Sequence, residues 1–443
     1  MQPPALSDTS MVLCIISLLL NPFAGVGLSL INTGLGRSRS AAHAMLASLC
    51  VIAVAAGVYF VWGFAVEGAP GGRAHAIALA GKSWNLLAAE SWFFRGLPFD
   101  SPFALLAAWF GMMSVALAAL IPLGAGADRW RLGACCASTV LLAGVTYPLF
   151  AHDVWGGGWL AQLGPNCGLG RGFLDAGGSS AIQAVGGLTA LSIAWILGPR
   201  RGKYTMEGMP TAIPGHNVVF VLLGCLLVWI GWLGLNSAGA ILFAGIDSGR
   251  VPLVAVTTTL AAGAAALTAA ALTRIRFRKP DASLCANGWV SGLVASSAGC
   301  AFITPLSAVV IGIVAGVLVI FSIEWLEARL GVDDPGGSIS VHALGGIWGV
   351  LSVGLFAQLP SGGSNEPGFA LNPGSGQWLA QLVGVATLLG FVLPLTYGLN
   401  WLLNRFYRQR VDAEGERQGM DLYELGAGAY PESATHTDEF TLR

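Results

Sequence analysis

The chain alternates between long apolar runs and short connections rich in Gly, Pro, Asp and Arg. The runs cover residues 11–31, 44–63, 102–123, 132–150, 179–197, 217–243, 251–273, 286–303, 307–323, 341–357 and 378–403. At a rise of 1.5 Å per residue, about 20 apolar residues cross a hydrocarbon core of about 30 Å. Each run therefore predicts a membrane-spanning helix, one or two of them slightly short, and there are eleven. Residues 1–10 hold no Lys or Arg, so the first run lacks the basic front of a secretory signal and reads as the first span.

Polar residues inside the apolar pattern repeat. Asp175-Ala-Gly-Gly-Ser-Ser-Ala-Ile-Gln183-Ala-Val-Gly-Gly matches Asp334-Pro-Gly-Gly-Ser-Ile-Ser-Val-His342-Ala-Leu-Gly-Gly residue for residue in its acid, its glycines and its polar position. The copies open the fifth and tenth runs, an odd number of crossings apart, so they enter the membrane from opposite sides. That is an inverted repeat, and it predicts an all-α polytopic fold of five helices, five inverted helices and a final long helix. Repeat one covers about 11–198, repeat two about 216–357 and the final helix about 378–403 within a membrane domain of residues 1–403, followed by a tail of residues 404–443.

Basic residues fall on alternate connections. Arg37 and Arg39, Arg129 and Arg131, Arg200, Arg201 and Lys203, Arg274 to Lys279, Arg329 and the tail share one side, while the other holds Arg73, Lys82, Arg95, Arg171 and Arg250. Lys and Arg are retained on the cytoplasmic side, which predicts a multi-pass protein of the cell (inner) membrane with its amino terminus outside and its tail inside.

Composition agrees with the pattern: of 443 residues, 55% are hydrophobic and 10% charged, which excludes a soluble fold. The 62 glycines suit helices that must approach closely in lipid. A net charge of −1 gives no argument for nucleic acid, and the six His and eight Cys show no metal-ligand spacing, so neither metal nor cofactor is expected, and no disulfide.

Gln183 and His342 are the residues in the repeat that can do chemistry. If each Gly-Gly-Ser lead-in starts its helix well inside the bilayer, the amide and the imidazole meet near the midplane. The bland alternative is interhelical hydrogen bonding alone. Asp175, Asp333 and Asp334 precede the two starts and are expected to cap exposed backbone N–H groups, with a shallow cation site at Asp175 as the sharper alternative.

Five stretches in order carry a resemblance that spans residues 8 to about 430. They are Ala151-His-Asp-Val-Trp155-Gly-Gly-Gly-Trp159, Leu197-Gly-Pro-Arg-Arg-Gly-Lys-Tyr204 with Ile213-Pro-Gly-His-Asn217, Ile230-Gly-Trp-Leu-Gly-Leu-Asn236, Ala286-Asn-Gly-Trp-Val-Ser-Gly-Leu-Val294 with Ala298-Gly-Cys300, and the His342 stretch. Together they resemble the ammonium transporter family (Amt/Mep/Rh), in its Amt branch. The resemblance implies a homotrimer in which each subunit has a narrow apolar pore for ammonium, is not an enzyme, and carries two histidines at the pore centre. Here the second is His342 and the first is Gln183. Three readings follow: conduction of NH3 with altered proton handling, a pore kept for binding and sensing through the tail, or relaxed selectivity. Glutamine can hold one tautomer of His342 but does not titrate.

The resemblance also implies an outer aromatic cup for the cation. Trp155 matches it, although one aromatic there also suits an interfacial anchor. An ungapped alignment puts Ser114 at the helix-three aromatic, with Phe110 nearby, Leu222 or Phe220 at the helix-six aromatic, and Cys225 at the small polar position. Gly337 stands where a further Asp is usual, which predicts a looser start for the tenth helix. The tail resembles one that packs on the inner face and helps a PII-type regulator dock, with Leu425 and Ala427 departing from its final motif.

Overall fold

The computed structural model describes residues 6–97, 102–359 and 376–430; residues 431–443 of the expected tail lie outside these. Among the described residues ten helices are long and apolar enough to cross a membrane: α1 (Asp8–Leu35), α2 (Ser38–Glu67), α3 (Pro102–Gly126), α4 (Leu132–Val154), α5 (Ser179–Leu197), α6 (Val218–Ala244), α7 (Ser248–Phe277), α9 (Pro305–Leu330), α10 (Ile339–Phe356) and α11 (Gln377–Phe406). The eleventh, α8 (Ala282–Ser297), has 16 residues and continues into turns.

Local chemistry sets the ends. Ser7, Asn217, Asp281 and Thr304 each accept a backbone N–H of the first turn that has no partner within its helix. Pro22 has no N–H to give, so α1 breaks at Asn21 and restarts with Pro22 in its first turn.

The connection from α2 to α3 departs from the purely helical expectation. It folds into an antiparallel hairpin, β1 (His75–Leu79) and β2 (Lys82–Leu87), on the same side as Trp155. No apolar run marked it, because both strands are short and largely exposed.

On the opposite, basic face the connections are tied by buried charges. The Arg200 guanidinium donates Nε and Nη2 to the Asp333 carboxylate and Nη1 to Asp128. Fully buried Arg129 donates to the carbonyls of Ala127, Gly198 and Asp333. The tail crosses this face. Arg410 donates to the carbonyls of Leu197 and Pro199, Glu416 accepts the Arg201 N–H, Asp421 accepts the N–H groups of Ala42 and His43, and Glu424 accepts that of Leu132.

Candidate functional site

Both halves of the duplicated sequence begin their helices with a wide π-helical turn, Ser179–Ala184 in α5 and Ile339–Leu344 in α10. The Asp175 carboxylate fixes the first. Its Oδ1 accepts the N–H groups of Gly178 and Ser179, and its Oδ2 accepts those of Ser180 and Ala181 and the Ser180 hydroxyl. With both oxygens filled by the chain, Asp175 serves as a cap. Asp334 does the same on a smaller scale, its Oδ2 accepting the Ile339 N–H at 2.7 Å.

Asp333 is not a cap. Its carboxylate lies with Arg200, because the adjacent connection places a guanidinium closer than any helix N-terminus. Gly337 adopts φ +67°, and a Cβ there would press on the Asn287 side chain, so glycine suits the turn and Asp334 caps it alone.

These starts bring the two polar residues together. His342 Nδ1 and Gln183 Oε1 are 2.7 Å apart, with both side chains buried. Because Oε1 is an acceptor, Nδ1 carries the proton and the neutral ring keeps its lone pair on Nε2. The Gln183 amide nitrogen is buried with no partner among the described residues. A glycine four residues after each polar residue lets the halves approach. A Cβ on Gly187 would collide with the backbone at His342 and Ala343, and one on Gly346 with the backbone at Ser179 and Ala184. Gly187→Val is therefore expected to cost about 1–3 kcal/mol through overpacking, seen as a lower unfolding temperature in detergent.

At the end of the bundle that carries Trp155 lies a cavity of about 300 Å³ lined by Trp155, Phe243, Asp175, Arg171 and Phe302 among others. Trp155 follows α4, and its Nε1–H donates to the Asp175 carbonyl at 2.7 Å, which fixes its ring. Phe243 stacks on Trp155 at 4.7 Å between centroids, and Phe110 packs edge-on against both. That contact covers one face of the indole, so a cation reaches that face only if Phe243 moves.

Three of the expected cup residues stand elsewhere. Ser114 is one helical turn beyond Phe110 on α3, fully buried, and Phe110 supplies the ring. Leu222 and Cys225 sit near the opposite end of α6, Leu222 exposed on the flank and the Cys225 thiol facing the Ala286 carbonyl. Leu222 is 21 residues before Phe243, about 30 Å along the helix. The signal for Phe243 was available: α6 leaves the basic face near Arg200 and Lys203, so its last residues, not its first, reach the side of Trp155. Arg171 was missed as well, because an exposed loop carries no periodic pattern.

Residues 11–430 match the sequence profile of the Ammonium Transporter Family. Ammonium transporter Amt2 of Archaeoglobus fulgidus is 36% identical over 428 residues, covering 95% of this chain and 88% of that protein. An ammonium transporter of Bacillus subtilis is 30% identical over 415 residues, covering 92% and 95%. Among solved structures, one described as a Sensor Amt Protein superposes with a TM-score of 0.83 at 27% identity, covering 94% of this chain and 98% of that one. Candida albicans Mep2 shares the fold, with a TM-score of 0.77 at 24% identity and coverage of 92% and 87%.

Proposed function

The chain belongs to the ammonium transporter family, a family of membrane transporters rather than enzymes, and we propose that it recruits ammonium at the Trp155 mouth and passes it as neutral NH3 between Gln183 and His342. One observation carries this reading: the buried pair offers an unpartnered amide N–H beside an imidazole with a free lone pair. Ammonia needs both, since its lone pair accepts from Gln183 Nε2 and one of its N–H bonds donates to His342 Nε2. Ammonium would have to cross the same apolar passage charged, at a desolvation cost of several kcal/mol. Its proton is therefore left behind, and with a single imidazole no second ring can hand it on.

The same reading places the basic face in the cytoplasm, the amino terminus outside and the chain in the cell membrane, by the bias of Lys and Arg among the connections. It assembles as a homotrimer, and the tail packed on the basic face offers a surface for a PII-type regulator. Likeness to a protein described as a sensor favours a second reading, in which the pore binds ammonium and signals through the tail. Ammonia-driven alkalinisation of proteoliposomes, read with a lumenal pH dye and paired with calorimetric binding, separates the two. Binding without alkalinisation would establish the sensor.

Arg171 puts a positive charge at the mouth, and the Asp175 carboxylate is turned onto the backbone N–H groups at the start of α5 rather than toward it. Arg171→Gln is expected to lower the half-saturating ammonium concentration about two- to threefold at low salt, the size of a charge repulsion across several ångström of water. The difference shrinks as salt screens it. Uptake measured at two ionic strengths checks this, and an unchanged half-saturation in both removes Arg171 from the account.

A further inference from the structure

A groove of about 570 Å³ opens on the flank between α4 and α11, away from the pore mouth. Its walls are apolar, with Leu149 from α4 and Val383 and Phe391 from α11, and Trp159 and β2 residue Leu86 line it too. The stretch from Val383 to Phe391 runs about 12 Å along the helix axis. Phe391 and Leu389 are exposed on this helix, so the groove opens on the outer flank of the helix bundle. A Cβ placed on Gly390 would meet nothing within 4 Å, so the gap is not filled by the protein itself.

One acidic side chain lines this apolar space. Asp153, in the last turn of α4, is 6% exposed and lines the groove. Its hydrogen bonds come from the backbone and the side chain of Trp159. A carboxylate accepts about four hydrogen bonds, so acceptor capacity remains on the groove side. Among the described residues no Lys, Arg or His forms an ion pair with it. An unpaired acid beside a bilayer is costly and is relieved by a partner that brings a cation. The occupant that matches a long apolar slot with one acid is a single amphiphile bearing an N–H cation.

We propose that this groove holds one phospholipid with a primary-amine headgroup, its ammonium on Asp153 and one acyl chain along α11. The amine supplies both the charge and the N–H donors that the carboxylate lacks, which a quaternary or an anionic headgroup cannot do. This site stands apart from the pore, and its occupancy does not depend on the transport reading.

Native mass spectrometry of the purified protein in detergent tests it, with phosphatidylethanolamine, phosphatidylcholine and phosphatidylglycerol titrated separately. The expected result is one phosphatidylethanolamine bound at least fivefold more tightly than either other lipid, with the preference lost in Asp153→Asn. Equal binding of all three lipids, or a preference that survives Asp153→Asn, overturns the proposal. Should Asp153→Asn fail to fold, Gly390→Trp fills the slot from an exposed wall. Loss of the tightly bound phosphatidylethanolamine is then expected, and its retention overturns the proposal.

Discussion

Gln183→His is expected to raise the ammonium-evoked current of proteoliposomes at least tenfold, equivalent to about 1.4 kcal/mol at the rate-limiting barrier. In the present chain the ammonium proton stays outside, because only one of the two paired side chains can titrate. His342 donates its Nδ1 proton to the Gln183 carbonyl oxygen, 2.7 Å away, and an amide cannot take the proton and release it on the far side. A second imidazole at position 183 restores a pair that titrates in two linked steps. The current then becomes pH-dependent, because the pair holds a titrating proton where the amide holds none. Solid-supported membrane electrophysiology reads both effects. An unaltered current with an unaltered pH profile would show that residue 183 has no part in moving charge.

The largest expected effect on stability comes from Asp333→Asn. Asp333 receives the Arg200 fork at 2.9 and 3.0 Å and also faces Arg129, and all three side chains are buried. Removing the acid leaves two buried guanidinium groups with Asp128 alone, a change of the class that costs about 3–5 kcal/mol. Thermal unfolding in detergent measures it. Burial pushes the Asp333 carboxyl up, but the hydrogen bonds and charges of Arg200 and Arg129 more than reverse that and hold it below the usual carboxylate range. A carboxyl held below its unfolded value of about 3.9 contributes fully above that pH and stops contributing as pH falls through the folded value. Acid titration of the wild type should show this component only below about pH 4, and Asp333→Asn should lack it.

Much of this could be read from the chain, for a physical reason. Lipid forces each crossing to be a helix of about 20 apolar residues, so the runs give the helix count directly, although the ends differ by up to seven residues, as at Leu330. The Gly-Gly-Ser repeat located Gln183 and His342 because close approach of two backbones needs glycine at matched places, and Gly187 and Gly346 are those places. Asp175 and Asp334 behave as caps, as short acids before a helix start do.

What the chain hid depends on neighbours far away in sequence. Asp333 and Asp334 are adjacent and alike, yet one meets a guanidinium and the other a helix start, and only the packed connections decide which. The aromatic mouth joins Phe110, Trp155 and Phe243 from three segments. An ungapped alignment placed two of its members at the wrong end of α6, because similarity within a uniformly apolar 27-residue helix takes no account of the basic residues before it, which mark the end that lies away from Trp155.

The central claim is that Gln183 and His342 let ammonia through while leaving its proton outside. A stopped-flow ammonium jump on wild-type proteoliposomes, reading lumenal pH together with charge movement, tests it most directly. The account predicts rapid lumenal alkalinisation with little charge moved. Full charge movement with each nitrogen, or a lumenal pH no different from that of empty liposomes, would contradict it.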